Sequence, residues 1–326
     1  MRIHLQSNPD DAQFSLSPEQ WAAACARAPD VSGGHEVSFS TDAAGFTGAM
    51  RDVEALVAEK DAVAKLFPVE APRLKLVYCT SAGLDNLAPY DWLPPGAALL
   101  NNRGTHAAKA GEYGLMALLM LANHIPVFAT AQRAGVWRKD HGSVLAGQRL
   151  VVVGLGALGG SVAAHAARFG LDVTGVRARA EPHPDCSRVV TTEALDDVLP
   201  GADMLVLTPP LTDRTRGMLD RRRIALLPAG AGVVNIGRGA LLDQDALCDA
   251  LDAGHLGGAV LDVFVPEPVP PGHRLWTTRN LVMTPHMSAD DPATYIPRSL
   301  DIFFDNLRAL RDGRPLPNQF DTARGY

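Results

Sequence analysis

The sequence predicts an α/β protein built on parallel sheets, and three observations carry that expectation. Short apolar runs of strand length, at 150–153, 172–176, 204–207, 232–236, 258–263 and 281–284, alternate with helical segments. Runs this apolar suit strands covered by helices on both faces. The first of them passes directly into a glycine-rich turn that opens an Ala-rich helix. The 326 residues also suffice for about two domains, each able to bury a core of its own.

Hydrophobic residues make up 47 % and charged ones 20 %, the balance of an ordinary globular chain. A net charge of -6 offers little attraction to nucleic acid or an anionic membrane, so neither partner is expected. Arg221-Arg222-Arg223, the one dense basic run, reads as a solvated helix face. Cys25, Cys79, Cys186 and Cys248 are scattered and none forms a C-x-x-C pair, which argues against a disulfide framework and against zinc. The start reaches Pro9 and acidic residues before any apolar region, so no secretory signal is expected. The apolar stretch 115–122 is too short to span a bilayer, and a cytoplasmic protein is expected.

The signals before residue 100 are mixed. Lys75-Leu76-Val77-Tyr78-Cys79 reads as a strand running into the turn-rich Thr80-Ser81-Ala82-Gly83-Leu84-Asp85, and Pro94-Pro95-Gly96 marks a break. Ala107, Ala110, Leu115, Leu118, Leu119 and Ala122 support one long, largely buried helix over 105–125, which Pro126 kinks or ends. A helix this apolar suits a domain or subunit junction. Ile302, Phe303, Leu307 and Leu310 stand at helical spacing in a last helix over 293–310.

A G-x-G-x-x-G word alone is weak, but here its context is a strand before and a helix after. Gly154 permits the tight turn, Gly156 lets backbone approach a pyrophosphate, and Gly159 allows close helix packing. The helix N-terminus then offers unpaired N–H groups to the phosphates. NAD calls for an acid about 20 positions onward, at the end of the second strand. Val176 occupies that place, and Arg177 and Arg179 follow it. Two guanidiniums without a carboxylate suit the extra 2'-phosphate of NADP, so NADP(H) is the expected preference, with NAD(H) possible.

Downstream, Arg238 in Asn-Ile-Gly-Arg-Gly, Glu267 in Asp-Val-Phe-Val-Pro-Glu-Pro and His286 in Thr-Pro-His-Met-Ser-Ala form an ordered trio. A guanidinium holds a carboxylate through two parallel bonds, an imidazole exchanges a proton near neutral pH, and a carboxylate beside an imidazole keeps it protonated. These are the parts needed to reduce a 2-oxo acid. His273 with Glu267 and His286 has no helical metal-ligand spacing, and no metal is expected.

With these words in order, the chain resembles the D-isomer-specific 2-hydroxyacid dehydrogenases, particularly their glyoxylate and hydroxypyruvate reductase branch. The matching blocks run from Gly154 to His286 and include Leu207-Thr-Pro-Pro-Leu-Thr, Asn235-Ile-Gly-Arg-Gly-Ala-Leu-Leu-Asp and Gly258-Gly-Ala-Val-Leu-Asp-Val-Phe. The first hundred residues match more loosely, through 81–86 and Gly111-Glu112-Tyr113. The resemblance implies two Rossmann-like or flavodoxin-like domains with parallel sheets. A cofactor domain at 102–287 is inserted in a discontinuous substrate domain at 1–101 and 288–326, with the substrate between them.

It further implies that His286 protonates the carbonyl oxygen, that Glu267 fixes its tautomer, and that Arg238 binds the substrate carboxylate with backbone N–H groups of Ala82 and Gly83. Ala157, Leu158, Thr208, Pro209 and Ile236 join the glycines in the cofactor site, and Asp262 meets the nicotinamide carboxamide. Ser288 is placed to hydrogen-bond substrate or cofactor. Gln132-Arg133-Ala134-Gly135-Val136-Trp137 resembles a segment that projects toward a partner's active site, so a homodimer through the cofactor domains is expected, with Trp137 either bordering the partner's pocket or simply lying in the interface. The expected substrates are small 2-oxo or 2-hydroxy acids such as glyoxylate or hydroxypyruvate. Bulkier, phenylpyruvate-like acids, phosphite oxidation and a dinucleotide-sensing corepressor role stay open as alternatives. Formate oxidation is disfavoured, because formate dehydrogenases carry an amide where this chain has Glu267.

Overall fold

The computed structural model describes residues 1–7 and 15–325, which form two compact units: Met1–Thr105 with Asp291–Tyr326, and His106–Asp290. Pro9 and the acidic residues after it lie outside the described residues. The first unit starts with β1 (Arg2–Gln6), α1 (Pro18–Arg27), β2 (Glu36–Ser40), α2 (Ala43–Met50), β3 (Ala55–Ala58), α3 (Lys60–Leu66), β4 (Leu76–Cys79) and β5 (Ala98–Leu100). Its strands are all parallel, in the order β2-β1-β3-β4-β5. Local chemistry sets the helix starts. Ser17 accepts from the Gln20 N–H at 3.2 Å while the Gln20 side chain accepts from the Ser17 N–H at 3.0 Å, a reciprocal cap on α1. Asp42 accepts from Gly45 N–H at 2.7 Å to open α2.

The second unit begins with α4 (Ala107–Ala122) and α5 (Ile125–Arg133). α4 is the helix expected over 105–125, shorter by a few residues at its end, and α5 follows it after a bend. The chain turns through a left-handed His124, φ 55°, and the two axes diverge by 65°. Pro126 therefore stands in the first turn of α5, where its missing N–H goes unneeded, and it starts the second helix rather than ending the first. There follow β6 (Arg149–Val153), α6 (Ala157–Arg168), β7 (Asp172–Arg177), β8 (Arg188–Thr191), α7 (Leu195–Val198), β9 (Met204–Leu207), α8 (Arg221–Leu226), β10 (Gly232–Asn235), α9 (Gln244–Asp252), β11 (Gly258–Leu261) and β12 (Leu281–Met283).

The seven strands form one parallel sheet in the order β12-β11-β10-β9-β6-β7-β8. Alternate residues feed the two faces. Leu150, Val152, Val206, Val234 and Val260 pack with α4 and α6, while Val151, Val153, Leu205, Val233 and Leu261 face the helices on the other side. Each such side chain contributes about 1.5–3 kcal/mol on burial. α4 approaches α6 closely because Gly114 presents no side chain; a Cβ there would stand 2.5 Å from Val162 Cγ2.

The chain leaves β6 toward β7 on one side and resumes at β9 on the other, so a crevice opens at the C-terminal end of β6, the place where parallel α/β sheets bind ligands. The arginine run on α8 is neutralised within its own unit: Arg221 pairs with Asp249 at 2.6 Å, and Arg222 and Arg223 with Asp196 at 2.7 and 2.6 Å. α10 (Tyr295–Arg311) returns the chain to the first unit, where Leu300, Phe303, Phe304 and Leu307 pack on Trp21, Leu5 and Tyr78. Among the described residues no single helix is long and apolar enough to cross a membrane, and no group of metal-ligating side chains assembles.

Candidate functional site

The second unit carries its polar residues at the C-terminal ends of its strands. After β6, Gly154 takes a positive φ of 89°, and a Cβ there would stand 2.7 Å from Pro209 N. A Cβ on Gly159 would lie 1.8 Å from the Gly154 carbonyl oxygen, so only glycine closes this turn. Thr208 Oγ1, from the end of β9, bonds the Gly154 carbonyl at 2.7 Å and the Val153 carbonyl at 2.9 Å, which fastens the turn to the next strand. Gly156 is exposed, and a Cβ on it would meet nothing within 4 Å. No side chain caps α6 at Gly156, so its first N–H groups face the open space in front of a twelve-residue helix. Ala157 and Leu158 form the first turn, half-buried, and Ile236 is buried in the core beside them. An uncapped helix start above an open glycine is what a dinucleotide pyrophosphate requires, and the residues fit that group.

At the end of β7 the picture differs from the sequence expectation in two respects. Val176 is wholly buried, so its side chain belongs to the core and the strand-end residue facing outward is Arg177. Arg177 is also not without a carboxylate: its Nη2 donates to the carbonyls of Glu181 and Pro182, and Glu181 Oε2 lies 3.6 Å away. The Arg177 Nε is buried with no hydrogen-bond partner. Arg177 thus shapes the loop after β7, while Arg179 is exposed.

The trio rises from the next three strands. After β10, Asn235 brackets the turn, its Oδ1 accepting from Gly237 N–H at 3.1 Å and its Nδ2 donating to the Arg238 carbonyl at 2.9 Å. Arg238 Nη1 donates to the Gly237 carbonyl at 2.8 Å. A Cβ on Gly239 would fall 2.2 Å from the Phe264 carbonyl, so glycine lets this turn rest on the segment after β11. There the Phe264 N–H donates to Glu267 Oε1 at 2.6 Å, leaving Glu267 Oε2 to accept from His286 Nδ1 at 2.8 Å. A carboxylate only accepts, so Nδ1 carries a proton and Nε2 is the ring atom available to exchange one.

Asp262, expected as a carboxamide contact, is buried, and its carboxylate accepts from the chain itself, at Thr284 Oγ1, Met287 N–H and Ser288 N–H. Ser288, expected to bond substrate or cofactor, is 2 % exposed and holds Asp262 through its backbone. His106 carries no sequence signal, being a lone histidine before a helix. Its Nδ1 donates to the Ala289 carbonyl at 2.9 Å, with Asp290 Oδ1 at 3.7 Å. Burial holds its pKa down, partly opposed by Ala289 and Asp290 and reinforced by the positive charges of Arg238 and His286. Three basic groups therefore share one neighbourhood.

Trp137, in the segment after α5, is 90 % exposed, beside exposed Val136. In the first unit, Ala82 and Gly83 follow β4, and Asn101 Nδ2 donates to the Ala82 carbonyl at 3.0 Å.

The family model described as "D-isomer specific 2-hydroxyacid dehydrogenase, NAD binding domain" matches residues 115–288. A D-isomer specific 2-hydroxyacid dehydrogenase from Xanthobacter autotrophicus Py2, solved with NADPH and MES, is 32 % identical over 99 % of both chains, with a TM-score of 0.83. An NADPH-dependent glyoxylate/hydroxypyruvate reductase from Sinorhizobium meliloti, solved with NADP and sulfate, is 25 % identical over 100 % of both chains, with a TM-score of 0.81. A D-3-phosphoglycerate dehydrogenase of Mycobacterium bovis is 30 % identical over 78 % of this chain, which spans 48 %, about half, of that relative.

Proposed function

The chain belongs to the D-isomer-specific 2-hydroxyacid dehydrogenase family, and from that premise we propose that it is an NADPH-preferring reductase of small 2-oxo acids such as glyoxylate or hydroxypyruvate. The observation that carries the reading is the Glu267–His286 pair at 2.8 Å, set at strand ends on the same edge of the sheet as the open glycine turn. When bound, the reduced nicotinamide supplies the hydride that converts the 2-oxo acid into its 2-hydroxy acid. The chain's own residues do the rest. Gly154, Gly156, Gly159 and the first amides of α6 hold the pyrophosphate, with Thr208 and Pro209 fixing the turn. Arg238 binds the substrate carboxylate and draws charge toward the carbonyl oxygen. His286 Nε2 delivers the proton to that oxygen, and Glu267 stabilises the imidazolium and fixes its orientation. Ala82 and Gly83 keep the amide-donor role the resemblance gives them.

Support for NADPH comes from the outward-facing end of β7, where Arg177 stands in place of an acid, and from the exposed Arg179, with NADPH and NADP named in the two solved relatives. The apolar face of α4 and the exposed Trp137 support a homodimer. The test is oxidation of NADPH and NADH by purified protein across glyoxylate, hydroxypyruvate, pyruvate and phenylpyruvate. The expected result is faster NADPH-dependent turnover of the two smallest polar acids, and a rise of about ten-fold or more in the KM for NADPH in Arg179→Ala. NADH preference would overturn the cofactor reading; turnover of phenylpyruvate alone would overturn the substrate reading.

A further inference from the structure

We propose that Tyr113, acting through Thr284 and Asp262, is a positioning residue that holds His286 in the geometry for proton transfer, an inference that rests on the reductase reading above. His286 has a positive φ of 53°, a backbone conformation that residues with a side chain adopt only when their surroundings over-determine it. Here the surroundings centre on Asp262, with the Thr284 carbonyl also accepting from the His286 N–H at 3.0 Å. The Asp262 carbonyl accepts from the His286 N–H at 2.8 Å. Its carboxylate then gathers the flanking chain: Oδ1 takes the Met287 N–H at 2.9 Å and the Thr284 hydroxyl at 2.5 Å, and Oδ2 takes the Ser288 N–H at 2.9 Å. The loop is thereby held on both sides of the histidine.

The Thr284 hydroxyl has a single hydrogen, and an ionised Asp262 can only accept, so that hydrogen points at Asp262. The Tyr113 phenol, 2.6 Å from Thr284 Oγ1, must then be the donor in that contact. Burial pushes the Tyr113 pKa up, which keeps the donor proton in place. The result is a directed chain from Tyr113 to Thr284 to the Asp262 carboxylate, on which the Met287 and Ser288 amides also converge as donors. Tyr113 sits on α4 in the packed core with Val152, Val234 and Val260, so the relay ties the histidine loop to that core. With one hydroxyl and two backbone amides donating to it, the Asp262 carboxylate has most of its roughly four acceptor positions occupied by the protein itself. None of the three residues needs to touch substrate; each acts through the placement of His286.

The test uses Tyr113→Phe, which removes one hydroxyl and keeps the ring, with Thr284→Val and Thr284→Ser. The expected result is a fall in kcat of about ten-fold in Tyr113→Phe and more in Thr284→Val, with KM for NADPH and oxo acid within about two-fold of the parent. Thr284→Ser restores most of the loss, and Thr284→Val speeds deuterium exchange at the Met287 and Ser288 amides by about ten-fold or more. Unchanged kcat in Tyr113→Phe with those amides still protected would overturn the proposal, as would a Thr284→Ser variant as impaired as Thr284→Val. If the parent protein turns over no oxo acid, the reductase reading fails, and exchange at the two amides still decides whether the relay holds the loop.

Discussion

Glu267 divides its two oxygens between two tasks, and that division sets what each substitution does. Oε1 is occupied by the Phe264 N–H, so the carboxylate cannot swing away from its loop; Oε2 faces His286 Nδ1. In the proposed reaction His286→Gln removes the proton donor and lowers kcat by about 100- to 10,000-fold. Glu267→Gln keeps the shape but exchanges a charge-assisted bond for a neutral one of about half the strength, and a smaller loss, roughly ten-fold, is expected. Both variants retain NADPH affinity by fluorescence titration. A His286→Gln variant with parental kcat would remove the histidine from the mechanism. At this scale the trio was legible because each member stands in a distinctive word. Tyr113, Thr284, Asp262 and His106 were not, or not in their observed role, since the contacts that define them join residues far apart: Tyr113 to Thr284, and His106 to Ala289. No local word encodes such a meeting.

Six of the seven strands of the second unit were readable to within a residue or two because they are largely apolar, as at Met204–Leu207 and Gly258–Leu261, whereas β8, Arg-Val-Val-Thr with only Val190 buried, carried no such run. In the first unit, β1 and β2 hid for the opposite reason. β1 carries His4 and Gln6, and β2 is Glu-Val-Ser-Phe-Ser with no buried residue. His4 is buried yet satisfied, its two ring nitrogens bonded to Ser38 and Ser40 at 2.8 and 2.9 Å, a pairing that only the fold reveals. The elements also explain why the Asn-Ile-Gly-Arg-Gly word needs its second glycine. A Cβ at position 239 would meet three backbone atoms of Phe264, the nearest at 2.2 Å, and backbone yields less readily than a flexible side chain. Gly239→Ala therefore displaces either the Arg238 turn or the Phe264 N–H that holds Glu267. The expected outcome is a loss of kcat/KM for the oxo acid of about 100-fold, with NADPH binding unchanged because the glycine turn after β6 is untouched. Retained kcat/KM in that variant would show the Arg238 turn to be looser than its packing implies.

At the scale of the molecule, both sheets are parallel and both present loops at strand C-termini, the ends where such sheets bind ligands. The second unit extends through Asp290 because Asp262 and His106 hold residues 286–290 to it. What this unit leaves uncovered sets the last prediction. Met116, Leu119 and Ile125 are exposed on α4 and α5 and line one shallow recess with Leu115 and Met120. Exposed apolar faces of this kind mark interaction surfaces. The proposed occupant is a second copy of the chain, in which the same face meets itself about a two-fold axis. Analytical ultracentrifugation of the purified protein is then expected to give twice the chain mass at micromolar concentration. Leu119→Glu places an unpaired charge in the contact, a desolvation penalty of several kcal/mol, and is expected to give a monomer with the same far-ultraviolet circular dichroism. A parent protein that sediments as a monomer would end the dimer proposal. A Leu119→Glu variant that stays dimeric would move the interface off this face and onto the exposed segment around Trp137, where Trp137→Ala becomes the deciding substitution.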